Sequence, residues 1–408
     1  MQSFGDALNY LYSKLPMYQR VGKIAYKKDL TNTIALLDAL RNPHHRFKSV
    51  HIAGTNGKGT SAHAIAAILQ QSGYKTGLYT SPHLKRFTER IKINGREIGE
   101  EDVRRFTVEN KGLIDRVEPS FFEVTVAMAF EYFALQEVDI AVIETGLGGR
   151  LDSTNVIHPE VSLITNIGFD HMDLLGDTIP KIAFEKAGII KSSVPVVIGD
   201  MVPEAIDVMK AMATDRDAKL VLTHCADIPA IDLSRTPPYF KRNIPGVMGV
   251  ISELIEKGWN IPNSAITKGL ESFIEITDMK GRFQQIHKSP ITIADVSHNP
   301  DGLSILFEHI ATLEFDQLHI IFGSVIDKDL NPIFQVLPKK AKLYFTMSHV
   351  PRRLDVMELH QAAVNFGLTG QTFSDVNEAK KAALKEAAIN DLVLITGSTF
   401  VVAELEEL

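Results

Sequence analysis

The residues best equipped for chemistry are Gly54-Thr55-Asn56-Gly57-Lys58-Gly59-Thr60, which follow the apolar run Ser49–Ala53 and open a helical stretch at Ser61–Gln71. A strand, a glycine-rich loop and a helix N-terminus together present backbone N–H groups and the positive end of a helix dipole, an arrangement that suits polyphosphate. Lys58 would reach the β- and γ-phosphates, and the Thr60 hydroxyl would face Mg2+. The loop departs from the general P-loop at two points: Ile52 stands where the first glycine would be, and Gly59 separates the lysine from the hydroxyl. Further on, Glu144 stands where the apolar run Ile140–Ile143 gives way to Thr145-Gly146-Leu147-Gly148-Gly149-Arg150. A hard divalent cation takes oxygen ligands and keeps several waters, so one carboxylate shared with nucleotide phosphates suffices to hold it. Glu144 is therefore the expected metal ligand.

Several other segments are ambiguous on residue type alone. Ser81-Pro82 reads as a turn and Glu89-Arg90 as a surface pair. His171 lies just past the buried run Val161–Ile167, and Lys186 reads as one more exposed helix lysine. Asn243 precedes Pro245 and a helical run, which suits an N-cap. Asp295, Asn299 and Pro300 suit a turn before a helix.

The elements that must position these residues form an α/β pattern. Short apolar runs, Ser49–Ala53, Thr76–Thr80, Ile140–Ile143, Val161–Ile167 and Val194–Ile198, alternate with stretches of helical period. Each run ends in a loop rich in Gly, Ser, Thr or Asp, which predicts a mostly parallel sheet buried on both faces with ligands at its carboxyl ends. The alternation weakens over 201–242, where no strand is assigned. A second series, Ile291–Val296, Leu318–Phe322, Lys342–Met347 and Leu392–Thr396, predicts a smaller Rossmann-like domain. The expected division is 1–285 and 290–408, with the short join Arg282–Pro290 leaving little room for an element of its own.

Composition narrows the function. The 408 residues carry a formal net charge of −7, which argues against a nucleic-acid binder. The one cysteine, Cys225, excludes a disulfide framework and a cysteine-cluster zinc site. No membrane span or signal peptide is read, so a cytoplasmic protein is expected.

The compact form of the Ala53–Thr60 loop resembles that of the Mur-type ligases. Among these the chain most resembles the folylpolyglutamate synthase/dihydrofolate synthase family, over segments in the same order through most of its length. The resemblance implies a P-loop domain of the Mur central type, a C-terminal glutamate ligase domain and a monomer. It also implies ATP-dependent joining of L-glutamate to dihydropteroate or folate, with ADP as product and two Mg2+ ions. In Tyr79–Leu84 and Phe87–Ile91 it assigns Ser81 to the first magnesium, and Pro82, His83, Leu84, Phe87 and Arg90 to the folate side. His171 would hold the second magnesium, and Lys186 would be carboxylated on its amine. Asn243, Arg282 and Asp295 would contact the nucleotide, while His298 would sit near phosphate transfer and the incoming amino acid. The sequence departs from the family where Ile244-Pro245-Gly246 follows Asn243 and where Lys280 precedes Gly281-Arg282-Phe283. Two rival readings are a ligase acting on a cell-wall precursor and a nucleotide-gated binding protein that joins nothing. Thr80–Leu84 and Phe87–Ile91 count against the first, and Asp295-Val296-Ser297-His298-Asn299-Pro300 against the second.

Overall fold

A computed structural model describes residues 1–17, 29–223, 231–326 and 328–408, so Cys225 lies outside the described residues. The chain divides into two compact units, Met1–Thr236 with Phe240–Asp278, and Pro237–Tyr239 with Met279–Leu408.

The first unit is built on strands β1 (Lys48–Ala53), β2 (Thr76–Tyr79), β3 (Ile91–Ile93), β4 (Arg96–Glu97), β5 (Ile140–Glu144), β6 (Val161–Ile164), β7 (Val196–Ile198) and β8 (Leu220–Leu222). Their order is β4-β3-β2-β5-β1-β6-β7-β8. Pairing is parallel from β2 to β8, and β3 and β4 add an antiparallel edge. The central strands are apolar throughout because both their faces are covered. On one face Tyr79, Ala141 and Ile143 join a cluster with Phe121, Phe130 and Phe133, and Ala53, Ile164 and Ile198 join another with Ile182 and Met209. Against the opposite face lies helix α1 (Lys58–Gln71), buried from Thr60 to Leu69. It is backed by α4 (Ile244–Glu256) and α5 (Asn263–Thr277), with α4 seated on Leu163 and Val197. Helix α2 (Phe121–Leu135) begins in a capping box between Ser120 and Glu123, and α3 (Ile179–Ala187) is capped by Thr178.

The second unit holds β9 (Gln284–Lys288), β10 (Ile291–Ala294), β11 (Leu318–Phe322), β12 (Lys342–Thr346), β13 (Gly370–Phe373) and β14 (Leu392–Thr396), in the order β13-β12-β11-β14-β10-β9. All neighbours are parallel except β9 and β10. Its core joins Ile320, Phe322, Phe345 and Leu394 to Leu306 and Leu359. The segment expected to be a bare join is not one: β9 pairs with β10 as an edge strand. Between 201 and 242 the described residues form a helix, Pro203–Asp215, then β8 and a 3-10 turn, Pro238–Arg242.

Candidate active site

In the first unit the chemistry collects where four adjacent parallel strands end. β2 leads to Ser81, β5 ends on Glu144, β1 runs into the glycine-rich loop and β6 leads to His171. This is the crevice at which open α/β sheets bind ligands.

The glycine-rich loop is braced by the loop after β6. Thr55 N–H donates to the Asn166 carbonyl (3.0 Å), and Asn56 N–H donates to Asn166 Oδ1 (2.9 Å). The Thr55 hydroxyl donates to the Gly168 carbonyl (3.1 Å) and accepts from Gly168 N–H (2.9 Å), while the Thr165 hydroxyl donates to the Asn56 carbonyl (2.6 Å). Gly54 has φ 148°, and a Cβ there would fall 1.9 Å from Thr165 Oγ1, so only glycine lets the two loops meet. Gly57, at φ 82°, precedes α1, and Gly59 and Thr60 form its first turn, Thr60 being buried.

Two lysines converge on one carbonyl. Lys58 Nζ donates to Gly54 O (3.0 Å) and Thr55 O (3.1 Å), and Lys186 Nζ, from α3, donates to the same Gly54 O (2.8 Å). Lys186 is buried rather than exposed. Burial, and then the charge of Lys58, bring its pKa down to about 7. The end of α3 reaches this position because Gly149 lies against it: a Cβ on Gly149 would stand 2.8 Å from Lys186 O. Gly149 thus admits protein backbone, whereas Gly146 and Gly148 face the side chains of Phe122 and Leu175.

Glu144 is buried, and its Oε2 accepts Ser81 N–H (3.0 Å). The same carboxylate oxygen lies 3.5 Å from where a Cβ on Gly59 would be, so it faces the start of α1. The Glu144 carboxylate beside Ser81 supplies oxygen that fits a divalent ion, and the N–H groups at the start of α1 suit the phosphates such an ion would share. His171 has φ 50°, donates its N–H to Asp170 Oδ1 (2.9 Å) and places Nε2 3.8 Å from Asp170 Oδ2.

The segment from Pro82 to Arg90 is organised by Glu89, whose carboxylate accepts the N–H groups of Leu84 (2.7 Å), Lys85 (3.0 Å) and Arg86 (2.8 Å). Glu89 therefore ties the loop rather than pairing with its neighbour. Arg90 is buried, donates Nε–H to His83 Nδ1 (2.7 Å) and stands 5.4 Å from the Phe121 ring centre. Burial, then the charge of Arg90, hold the His83 imidazole well below its ordinary pKa, so it is the neutral acceptor. Phe87 packs edge-on against Phe121 at 5.9 Å in the core, Leu84 is half-buried and Pro82 exposed. Asp152, not singled out in the sequence, is buried here and accepts N–H bonds from Leu147 (2.8 Å) and Thr154 (3.0 Å).

Asn243 precedes α4 but makes no capping hydrogen bond with its side chain. Its Oδ1 lies 2.6 Å from where a Cβ on Gly57 would stand, so the side chain packs on the glycine-rich loop.

In the second unit Asp295 follows β10 and is fully buried. Val296 N–H donates to Gly281 O (3.0 Å), which sets the Asp295 loop beside the turn carrying half-buried Arg282. His298 is half-buried with Nδ1 3.0 Å from Val296 O, and Asn299 caps the helix Pro300–Ile310.

Two family descriptions match the chain: the Mur ligase middle domain over residues 52–230, and the glutamate ligase domain of Mur ligases over residues 281–399. Sheet, loop and second unit together define a Mur-type ligase. The dihydrofolate synthase/folylpolyglutamate synthase of Bacillus subtilis is 30% identical over 99% of this chain and 99% of its own. The chain spans about half, 50%, of a probable bifunctional folylpolyglutamate synthase/dihydropteroate synthase from Haloferax volcanii, at 30% identity over 98% of its own residues. Among solved structures, Mycobacterium tuberculosis folylpolyglutamate synthase with ADP gives a TM-score of 0.88 at 29% identity, covering 98% of this chain and 96% of that one. Escherichia coli FolC with DHPP and ADP gives 0.84 at 28% identity, covering 98% and 96%. The Yersinia pestis bifunctional enzyme with AMPPNP and a manganese ion gives 0.84 at 27% identity, covering 99% and 97%. The chain belongs to the dihydrofolate synthase/folylpolyglutamate synthase family of ATP-dependent, ADP-forming ligases.

Proposed function

We propose that the enzyme joins L-glutamate to dihydropteroate, to the γ-carboxylate of a tetrahydrofolyl-polyglutamate, or to both, through an acyl phosphate. The observation that carries the reading is the meeting of the glycine-rich loop, Glu144, Ser81 and Lys186 at the carboxyl ends of four parallel strands. On this reading the first unit is the ATP-binding domain and the second the glutamate ligase domain.

Hydroxide is a poor leaving group at neutral pH, so the acceptor carboxylate must first be activated. The backbone N–H groups of the loop, with Lys58, hold the triphosphate so that the carboxylate attacks the γ-phosphorus in line and ADP departs. The glutamate amine then attacks the acyl phosphate carbonyl, and phosphate leaves from the tetrahedral intermediate. Ser81, Glu144 and His171 would hold two Mg2+ ions, which supply charge neutralisation at the phosphates. Pro82, His83, Leu84 and Arg90 serve the folate side, with Phe87 and Arg90 both packed on Phe121. Arg282, Asp295 and Asn243 serve the nucleotide, and His298 the phosphate transfer. The carboxylation of Lys186 rests on the family resemblance, and the burial of its amine beside Lys58, which lowers its pKa to about 7, suits the neutral form that combines with carbon dioxide.

The test is phosphate release from ATP and Mg2+, with dihydropteroate or tetrahydrofolate, each with and without L-glutamate. Glutamate-dependent release and a product heavier by one glutamyl residue are expected with at least one pterin. Silence with both would sink the reading and turn attention to cell-wall precursors.

A further inference from the structure

Lys186 meets the glycine-rich loop only because the end of α3 is held in place, and the loop after β5 holds it. Arg150 N–H donates to the Glu185 carbonyl (2.7 Å), and Arg150 Nη2 donates to Glu185 Oε1 (2.7 Å). Asn155 crosses the same seam. Its side-chain Nδ2 donates to the carbonyls of Arg150 (3.0 Å) and Gly188 (3.0 Å), and its own carbonyl accepts from Lys191 Nζ (2.7 Å). Glu185, Gly188 and Lys191 are thus tied to one loop, on both sides of Lys186.

The ties are unequal. The Arg150 side chain is exposed, and an exposed ion pair contributes little. Asn155 is buried, and both hydrogens of its amide nitrogen are spent on the two carbonyls. Those carbonyls belong to stretches whose backbones nearly touch: a Cβ on Gly188 would stand 2.3 Å from Arg150 Cα. Without the Asn155 amide both carbonyls lose a donor, and the end of α3 is no longer fixed to the loop.

We propose that Asn155 is a positioning residue for Lys186: it locks the end of α3 to the loop after β5 and so holds the Lys186 amine at the Gly54 carbonyl. The role rests on the reading of Lys186 as carboxylated. In that step the amine lone pair bonds to the carbon of carbon dioxide, and one N–H proton leaves to solvent. The carbamate nitrogen keeps one hydrogen, enough to bond Gly54 O. Its new negative charge lies close to Lys58, whose Nζ bonds the same Gly54 O, so opposite charges attract where two ammonium groups would repel. That gain lasts only while α3 keeps its place.

The test titrates labelled bicarbonate into wild type, Asn155→Ala and Arg150→Ala, reading the carbamate carbon resonance, glutamate-dependent phosphate release and Tm. Asn155→Ala should need roughly tenfold more bicarbonate for a half-maximal resonance, the effect of one lost hydrogen bond, and its turnover should climb as bicarbonate is added. Arg150→Ala should stay within about twofold of wild type. Asn155→Ser, which retains one donor, should fall between the two and serves if the alanine variant does not fold. An unshifted bicarbonate midpoint, or lost turnover that bicarbonate does not restore, would make Asn155 merely structural and overturn the role. Wild type without the resonance would overturn the reading of Lys186 and the positioning role with it, a failure distinct from an unshifted midpoint. Glutamate-dependent release in wild type judges the ligase reading separately.

Discussion

Glu144 and Lys186 carry the most at the scale of single residues. Glu144→Gln keeps the side-chain shape and an oxygen for Ser81 N–H but removes the charge a divalent ion needs. Glutamate-dependent phosphate release should fall by about 100-fold or more while the protein still unfolds cooperatively near the wild-type temperature. Undiminished turnover would remove Glu144 from the metal site. For Lys186, saturating the protein with isotopically labelled bicarbonate should give a carbamate carbon resonance that Lys186→Met lacks. The same signal in both proteins, or in neither, would end the assignment. The glycine-rich loop was legible in the sequence because strand, loop and helix N-terminus are contiguous there. Asn166 was not, since its two bonds to the loop cross 110 and 111 positions of chain. Tyr239 escaped notice for a similar reason, because a tyrosine in a proline-bearing stretch carries no local mark of the Asp295 carboxylate it will meet, 56 positions on.

Packing and titration decide matters at the scale of elements. Helices α1 and α5 cross so closely that a Cβ on Gly269 would lie 2.8 Å from the Ile68 backbone. Alanine favours a helix over glycine by about 1 kcal/mol, but forcing two backbones apart costs about 1–3 kcal/mol, so Gly269→Ala should lower stability in urea unfolding. Strand β1 carries His51 fully buried, with Nε2 2.9 Å from the Thr154 hydroxyl oxygen. Burial, and then the charge of Lys191, push its pKa down to about 3 from 6.5. Below pH 6.5 the unfolded chain takes up a proton that the folded chain refuses until about pH 3, so this residue makes stability fall as pH drops through that window. Between neutrality and about pH 5 the loss attributable to it should be about 2 kcal/mol, and His51→Gln should show a smaller drop than wild type by that amount. The strands legible from sequence are those buried on both faces, where apolar residues run without interruption. Strands β3, β4, β9 and β13 lie toward the sheet edges and carry polar residues, and β8 is an edge strand of only three residues, so they look like loop in a one-dimensional reading.

Each unit has its own hydrophobic clusters when the whole molecule is considered, and a chain with two cores need not unfold in one step. Saturating ADP should raise the unfolding temperature of the unit that binds the phosphates, by about 2.7 kcal/mol of added stability at a hundredfold excess over Kd. Calorimetry with and without ADP should show that shift, and an unmoved thermogram would deny a nucleotide site. Among the described residues no helix is long and apolar enough to cross a membrane. The second unit borrows Pro237–Tyr239 from a distant part of the chain. A fragment cut at Met279 would therefore carry a buried carboxylate short of one donor, and the two halves are not freely exchangeable cassettes. A recombination event or a split-protein design that separates them at Asp278 would leave the tyrosine behind with the wrong half.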